Sequence, residues 1–153
     1  PIHAECRVNP AGVYVLEVAP RPIGGLCARA VRFERPNGSR VPLEEVLLRH
    51  SLGEDISRWA PSGTASGVMM IPIPRRGVYR GVQGVNAAAA HSGVDDILIT
   101  AKPDEILVPL PEGRSYLGFI LATGRDPASV ERTLRESHAS LRFEIEREIE
   151  LVR

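Results

Sequence analysis

The sequence predicts an α+β protein: an antiparallel-leaning sheet with a few helices packed on it, followed by a small α/β lobe. Three observations carry that prediction. Residues 2–9 alternate apolar with polar side chains, the pattern of a half-buried strand, and residues 13–19, rich in Val, Tyr and Leu, return as a second strand after a turn. Helical stripes with start and stop signals follow. A stretch rich in Pro, Gly, Ser and Thr at 60–67 then divides the chain, and mixed strand and helix patterns resume after it.

In the first strand Ile2, Ala4, Cys6 and Val8 alternate with His3, Glu5, Arg7 and Asn9. Asn9-Pro10-Ala11-Gly12 is a turn, with Pro suited to its second position and Gly to a left-handed residue. Residues 13–19, rich in Val, Tyr and Leu, form the returning strand. The rigid Pro20-Arg21-Pro22 loop loosens at Gly24-Gly25 and opens a helix over 25–34, with Leu26, Ala30 and Phe33 at helical spacing. Pro36-Asn37-Gly38 breaks it. Pro42 suits a first helical position, Leu43, Val46, Leu47 and His50 form the stripe, and Gly53 is the cap. The lobe boundary is placed near 60–66, giving domains 1–60 and 61–153.

Residues 68–74 read as a strand. Residues 77–92 fit either a strand followed by a short Ala-rich turn of helix or one irregular segment. Strands are expected at 96–101, 105–109 and 116–123, the last ending in Gly124. Asp126 as N-cap and Pro127 at the first helical position then start a helix with Val130, Leu134 and Leu141 on its buried stripe. Phe143, Ile145, Ile149 and Leu151 alternate into a final strand.

Composition removes several function classes. The 153 residues carry 19 Lys+Arg against 19 Asp+Glu, a formal net charge of +0, which argues against a basic nucleic-acid binder and an acidic disordered tail. No apolar run approaches the roughly 20 residues needed to span a bilayer, and no signal pattern opens the chain. Two cysteines, Cys6 and Cys27, argue against a disulfide scaffold or Cys-based zinc site and suit a cytoplasmic, reducing setting. Every basic residue except Lys102 is arginine, so this segment has little lysine to set on a phosphate as a mobile point charge. The start, without Met and already strand-like, suggests the carboxyl-terminal piece of a longer protein.

The register of the first hairpin decides its chemistry. With a three-residue loop, Pro10-Ala11-Gly12, Asn9 pairs with Val13 and Glu5 falls opposite Glu17, with His3 opposite Ala19 and Arg7 opposite Val15. Like charges so placed repel, and a cation between them relieves the repulsion. Magnesium fits, because it takes carboxylate oxygens and keeps positions for phosphate and water. With a loop of even length, Glu5 faces Leu16 and the two acids point to opposite faces. Neutralisation by Arg7 or Arg21 without a metal is a further alternative. Arg21, four residues after Glu17, has a forked donor set suited to a phosphate or carboxylate. Gly24 and Gly25 leave room for backbone N–H groups near an anion.

His3-x-Glu5 followed by Glu17-Val18-Ala19-Pro20-Arg21-Pro22-Ile23-Gly24-Gly25 resembles the last motif of the ATP-grasp superfamily. Residues from about Gly67 to Ile145 resemble the carboxyl-terminal lobe of ATP-grasp ligases of the L-amino-acid ligase type, above all Tyr116 to Gly124 followed by Asp126-Pro127. The resemblance implies the carboxyl-terminal part of an ATP-dependent carboxylate–amine ligase that works through an acyl phosphate. Glu5 and Glu17 then hold magnesium on the ATP phosphates. Arg21 stabilises the transferring phosphoryl group, while His3, Gly24 and Gly25 line the substrate and phosphate side. The family's Asn is Ala19 here, which puts a second metal in doubt. Its glycine-rich loop and phosphate-binding lysines are expected upstream in missing amino-terminal lobes of the same chain. On this reading the segment by itself does not catalyse.

The resemblance implies ATP and small carboxylate and amine substrates, amino acids foremost, with no nucleic-acid or membrane partner; a homodimer stays open. Two alternatives stand beside the ligase: a non-catalytic binding or assembly module on a degenerate ATP-grasp half, and a ligase of phosphoribosylamine–glycine or carbamoyl phosphate type. The remaining features read as structural. His50, His91 and His138 show no metal-type clustering, Cys6 and Cys27 read as buried thiols, and Arg75-Arg76 with Arg80 reads as a solvated loop. Glu146-Arg147-Glu148 reads as a charged edge that discourages sheet association.

Overall fold

The computed structural model describes residues 1–24 and 26–147. The chain divides into two compact units, Pro1–Ser62 and a second from Gly63 onward. Every strand pairing is antiparallel, and the architecture is α+β.

The first unit opens with β1 (His3–Asn9) and β2 (Gly12–Ala19), which among the described residues pair only with each other. A single turn of helix, α1 (Cys27–Ala30), follows. The longer helix expected over 25–34 does not form. Val31 and Phe33 also fit a two-residue period, and the chain leaves α1 as strand β3 (Arg32–Glu34). Asn37-Gly38 turns it back, the Asn37 carboxamide oxygen accepting from the Ser39 backbone N–H at 3.0 Å, and β4 (Arg40–Pro42) pairs with β3. Pairing with the returning strand outweighs another helical turn here.

Helix α2 (Leu43–Ser51) starts one residue past Pro42, which stands as N-cap. Gly53, at φ +79°, ends it: its N–H reaches the His50 carbonyl and that of Glu54 reaches Arg49, the paired bonds of a Schellman motif. Two residues read as linker instead form β5 (Ala60–Pro61), a short third strand on β3. Only Val41 and Val46 are buried in this unit among the described residues.

The second unit holds the core. Its elements are β6 (Ala65–Ile71), β7 (Gly77–Gln83), α3 (Val85–Ala89), β8 (Val94–Ile99), β9 (Ile106–Leu107), β10 (Gly118–Gly124), α4 (Pro127–Ala139) and β11 (Arg142–Glu146). They form two three-stranded sheets, ordered β6-β10-β8 and β11-β7-β9. Of the two readings of 77–92, strand followed by short helix is the one found. The last strand lies at Arg142–Glu146; Glu148, Ile149 and Leu151 lie outside the described residues.

Ile71, Leu107, Leu117 and Ile120 are fully buried, and Val130 and Leu134 of α4 join the same cluster. Helix α4 lies against β6 and β10. It comes so close that a Cβ at Gly67 would meet Val130 Cγ1 at 2.9 Å. Asp126 caps α4 by accepting from the Ser129 backbone N–H at 2.7 Å, with Pro127 at the first helical position.

Candidate functional site

The β1–β2 hairpin is closed by a turn of two residues, Pro10 and Ala11, so that Asn9 pairs with Gly12. The Asn9 carboxamide oxygen accepts from the Ala11 N–H at 2.9 Å, which fixes the tight turn. Next along the ladder stand Val8 opposite Val13, Arg7 opposite Tyr14 and Cys6 opposite Val15. The three-residue loop, with Asn9 on Val13 and Arg7 on Val15, is therefore not the one adopted.

A bulge then intervenes. The partners step from Val15 to Glu17, leaving Leu16 without a partner, and Glu5 pairs with Glu17, Ala4 with Val18 and His3 with Ala19. Without it, the two-residue turn would set Glu5 opposite Leu16. The facing glutamates arise from the bulge and not from the loop length.

The bulge also sorts the two faces. Directly opposed residues share a side of a ladder, so one face carries His3, Glu5, Arg7, Tyr14 and Glu17 and the other Ala4, Cys6, Val8, Val13, Val15 and Val18. The aliphatic face is uncovered within this chain's first unit, with Val8 72% and Val15 62% exposed. Cys6 is accordingly exposed and not the buried thiol expected from its apolar neighbours.

Around the carboxylates the surroundings are open. Glu5 has no ion-pair or hydrogen-bond partner among the described residues. Glu17 lies 4.0 Å from the Arg21 guanidinium, both side chains being more than half exposed. A pair at that distance in water contributes little and leaves both groups available. Arg21 also donates from Nη1 to the Pro22 carbonyl at 3.2 Å. His3, on the same face, is half-buried, and its Nδ1 is shielded from solvent without a hydrogen-bond partner. The Gly24 carbonyl accepts from the Cys27 N–H at 3.1 Å. Gly25 lies outside the described residues. Helix α1 has only four residues, too few to present the dipole expected behind these glycines.

No group of three or more His, Cys, Asp or Glu side chains among the described residues could hold a metal ion by itself. Two facing carboxylates nevertheless suit magnesium, which commonly takes one or two protein carboxylates and completes its shell with water and phosphate oxygens.

Elsewhere the polar groups are tied into structure. Arg35 lies over the Trp59 ring, 4.8 Å from its centroid, and pairs with Glu45. Glu45 also accepts from Arg49 Nε at 2.7 Å, and Arg49 reaches both oxygens of Glu54 at 2.8 and 3.1 Å. The Arg49 hydrogen bond, with the charges of Arg35 and Arg49, holds the Glu45 carboxyl below its ordinary range against some desolvation. The four-residue spacing of Glu45 and Arg49 signals this pair in the sequence, but Arg35 and Trp59 join it only through the fold. Arg75 lies in a loop, as expected, but Arg80 stands in strand β7, and both are held by partners. Arg75 donates to the Ile145 carbonyl at 2.6 Å, while Arg80 pairs with Asp104 and, at 2.7 Å, with Glu146. His91 Nε2 meets Ser140 Oγ at 2.9 Å.

The antiparallel sheets with packed helices are consistent with a carboxyl-terminal lobe of the ATP-grasp kind. Residues 69–146 match the model of the L-amino acid ligase C-terminal domain 2 family, and the chain belongs to that family. In structure it is similar to the L-amino acid ligase from Bacillus licheniformis, with a TM-score of 0.74 and 20% identity over 95% of this chain and 36% of that one. The chain thus spans about a third of that ligase's length, and at this identity the likeness establishes the fold. No curated protein matches the chain in sequence. The family match lies in the second unit and does not reach the hairpin.

Proposed function

We propose that this chain is the carboxyl-terminal portion of an ATP-dependent carboxylate–amine ligase that joins an amino acid to another amine. The observation carrying this reading is the pairing of Glu5 with Glu17 on an open polar face, in a chain of the L-amino acid ligase family. Glu5 and Glu17 would hold a magnesium ion through their carboxylate oxygens. Bound there, the ion neutralises charge on the phosphates. Arg21, beside Glu17, stabilises the charge that builds on the transferring phosphoryl group. His3, Gly24 and Gly25 line the substrate and phosphate side.

In the reaction, a substrate carboxylate oxygen attacks the γ-phosphorus of ATP and ADP leaves. The amine nitrogen then attacks the acyl carbon, the C–O bond to phosphate breaks, and the amine proton is lost to give the amide. The adenine pocket and the phosphate-binding lysines belong to upstream lobes of the same chain, so the segment alone is inactive. We place the protein in the cytoplasm, where its two thiols stay reduced. No helix among the described residues is long and apolar enough to cross a membrane.

A second reading, a non-catalytic module on a degenerate ATP-grasp half, draws on Ala19, which stands in place of the family's Asn, and on the lack, among the described residues, of a third donor beside the glutamates. Amine-dependent ADP release by the full-length protein over a broad amino-acid panel separates the two. Release with particular amino-acid pairs is the expected result. Inactivity across the panel, with nucleotide binding unchanged by Glu17→Gln, contradicts the ligase.

A further inference from the structure

We infer that Leu16 is a positioning residue: it acts as a spacer whose unpaired place in β2 turns the Glu17 carboxylate onto the face of Glu5. The inference rests on the metal reading of these glutamates.

The physical case begins at the turn. A two-residue loop pinned by the Asn9 side chain dictates the ladder as far as Cys6 opposite Val15. Continued without interruption, that ladder sets Leu16 opposite Glu5 and Glu17 opposite Ala4, on the face of Val8, Val13 and Val15. A one-residue slip moves every later side chain to the other face. The bulge supplies that slip at one rung only, and all later pairs, Glu5 with Glu17, Ala4 with Val18 and His3 with Ala19, follow from it.

The resulting arrangement is one that charge alone disfavours. Two carboxylates face each other, one with no cationic partner among the described residues and the other with a single arginine at 4.0 Å. Leu16 is 67% exposed, so its side chain has little packing to justify the break in pairing. What Leu16 contributes is its count in the chain.

That account makes an asymmetric forecast. Deleting Leu16 joins Val15 directly to Glu17, so the ladder set by the turn runs without a bulge and still brings Glu17 opposite Glu5. Inserting one Ala between Leu16 and Glu17 takes Glu17 off the Glu5 rung: with the bulge kept it falls opposite Ala4 on the aliphatic face, and with the ladder unbroken it falls opposite His3, two residues along the strand from Glu5. An ordinary strand suffers from either change alike.

The test is Mn2+ binding by electron paramagnetic resonance on the full-length protein with ATP present, with circular dichroism and thermal unfolding followed in parallel. The Leu16 deletion and Leu16→Ala are expected to keep the Mn2+ dissociation constant within about 3-fold of wild type. The Ala insertion is expected to weaken it more than about 10-fold, as Glu17→Gln does. A folded deletion variant that loses Mn2+ as fully as Glu17→Gln overturns the inference, and so does a 10-fold loss in Leu16→Ala, which would give the side chain itself a role. Should the insertion fail to fold, the deletion and Leu16→Ala decide the matter. A wild-type protein without a Mn2+ site, or one indifferent to Glu17→Gln, removes the metal reading and the inference with it.

Discussion

Glu5 and Glu17 stand directly opposite one another on adjacent strands, and among the described residues they have between them one counter-charge, the Arg21 guanidinium 4.0 Å from Glu17. Facing like charges oppose the hairpin that holds them, whereas a bound divalent ion turns the same geometry into attraction. On the proposed metal reading, stability and function therefore pull in opposite directions at this rung.

Replacing either glutamate by Gln in this 153-residue chain is expected to stabilise its first unit when no divalent ion is bound, because it removes the repulsion between facing carboxylates. The gain lies at the lower end of about 0.2–1 kcal/mol, since both groups face water. Glu5→Gln gives the clearer gain, having no ion pair to lose. Urea unfolding midpoints measured at low ionic strength and again in high salt check this, with the gain shrinking as salt screens the repulsion.

The contrast between the two units is a second expectation. Ile120→Ala opens a cavity in a fully buried cluster and costs roughly 2–5 kcal/mol. Val8→Ala, on the uncovered face of the hairpin, changes the stability of this chain by no more than roughly 0.5 kcal/mol. In the full-length protein the cost of Val8→Ala rises if upstream lobes cover that face. Chemical denaturation of both variants in both lengths of chain measures the difference.

Much of this was legible along the chain. Asp126-Pro127 announced α4 because capping is local chemistry, decided by residues within one turn. The run from Tyr116 to Gly124 showed β10 because its apolar side chains suit a strand buried in a core. The helix read over 25–34 failed where Leu26, Ala30 and Phe33 satisfied one period while Val31 and Phe33 satisfied another. Strand pairing with residues 40–42, a non-local contact, settled it. The facing of Glu5 with Glu17 was read from the wrong turn. The parity break was nevertheless visible: Val13 and Val15 are apolar, and Glu17 falls on the same alternate position. Choosing between a longer loop and a bulge needed the Asn9 side chain and the backbone of the turn, which periodicity does not report. Cys6 misled for a related reason, since alternation identifies an apolar face but not whether anything covers it.

Asp126 makes the stability of the second unit depend on pH. The Ser129 backbone N–H, followed by Arg125, holds its carboxyl below the ordinary range. Its folded-state pKa lies below its unfolded one, so its contribution is present at neutral pH and is lost as pH falls through the ordinary carboxylate range to the folded value. Asp126→Asn keeps an oxygen to cap α4 but cannot titrate. The variant is expected to match wild type in the acid, where Asp126 is protonated, and to show a shallower loss of melting temperature between pH 6 and about 3. Thermal unfolding across that range checks it; parallel slopes in the two proteins contradict it.

The most direct test of a shared ion is the Mg2+ requirement of ADP release by the full-length protein in four forms: wild type, Glu5→Gln, Glu17→Gln and the double variant. If both carboxylates serve one ion, each single change lowers the rate by about 100-fold or more. The double change then costs far less than the two single costs combined. Single variants that keep wild-type Mg2+ dependence, or losses that simply multiply in the double variant, contradict a common ion at Glu5 and Glu17.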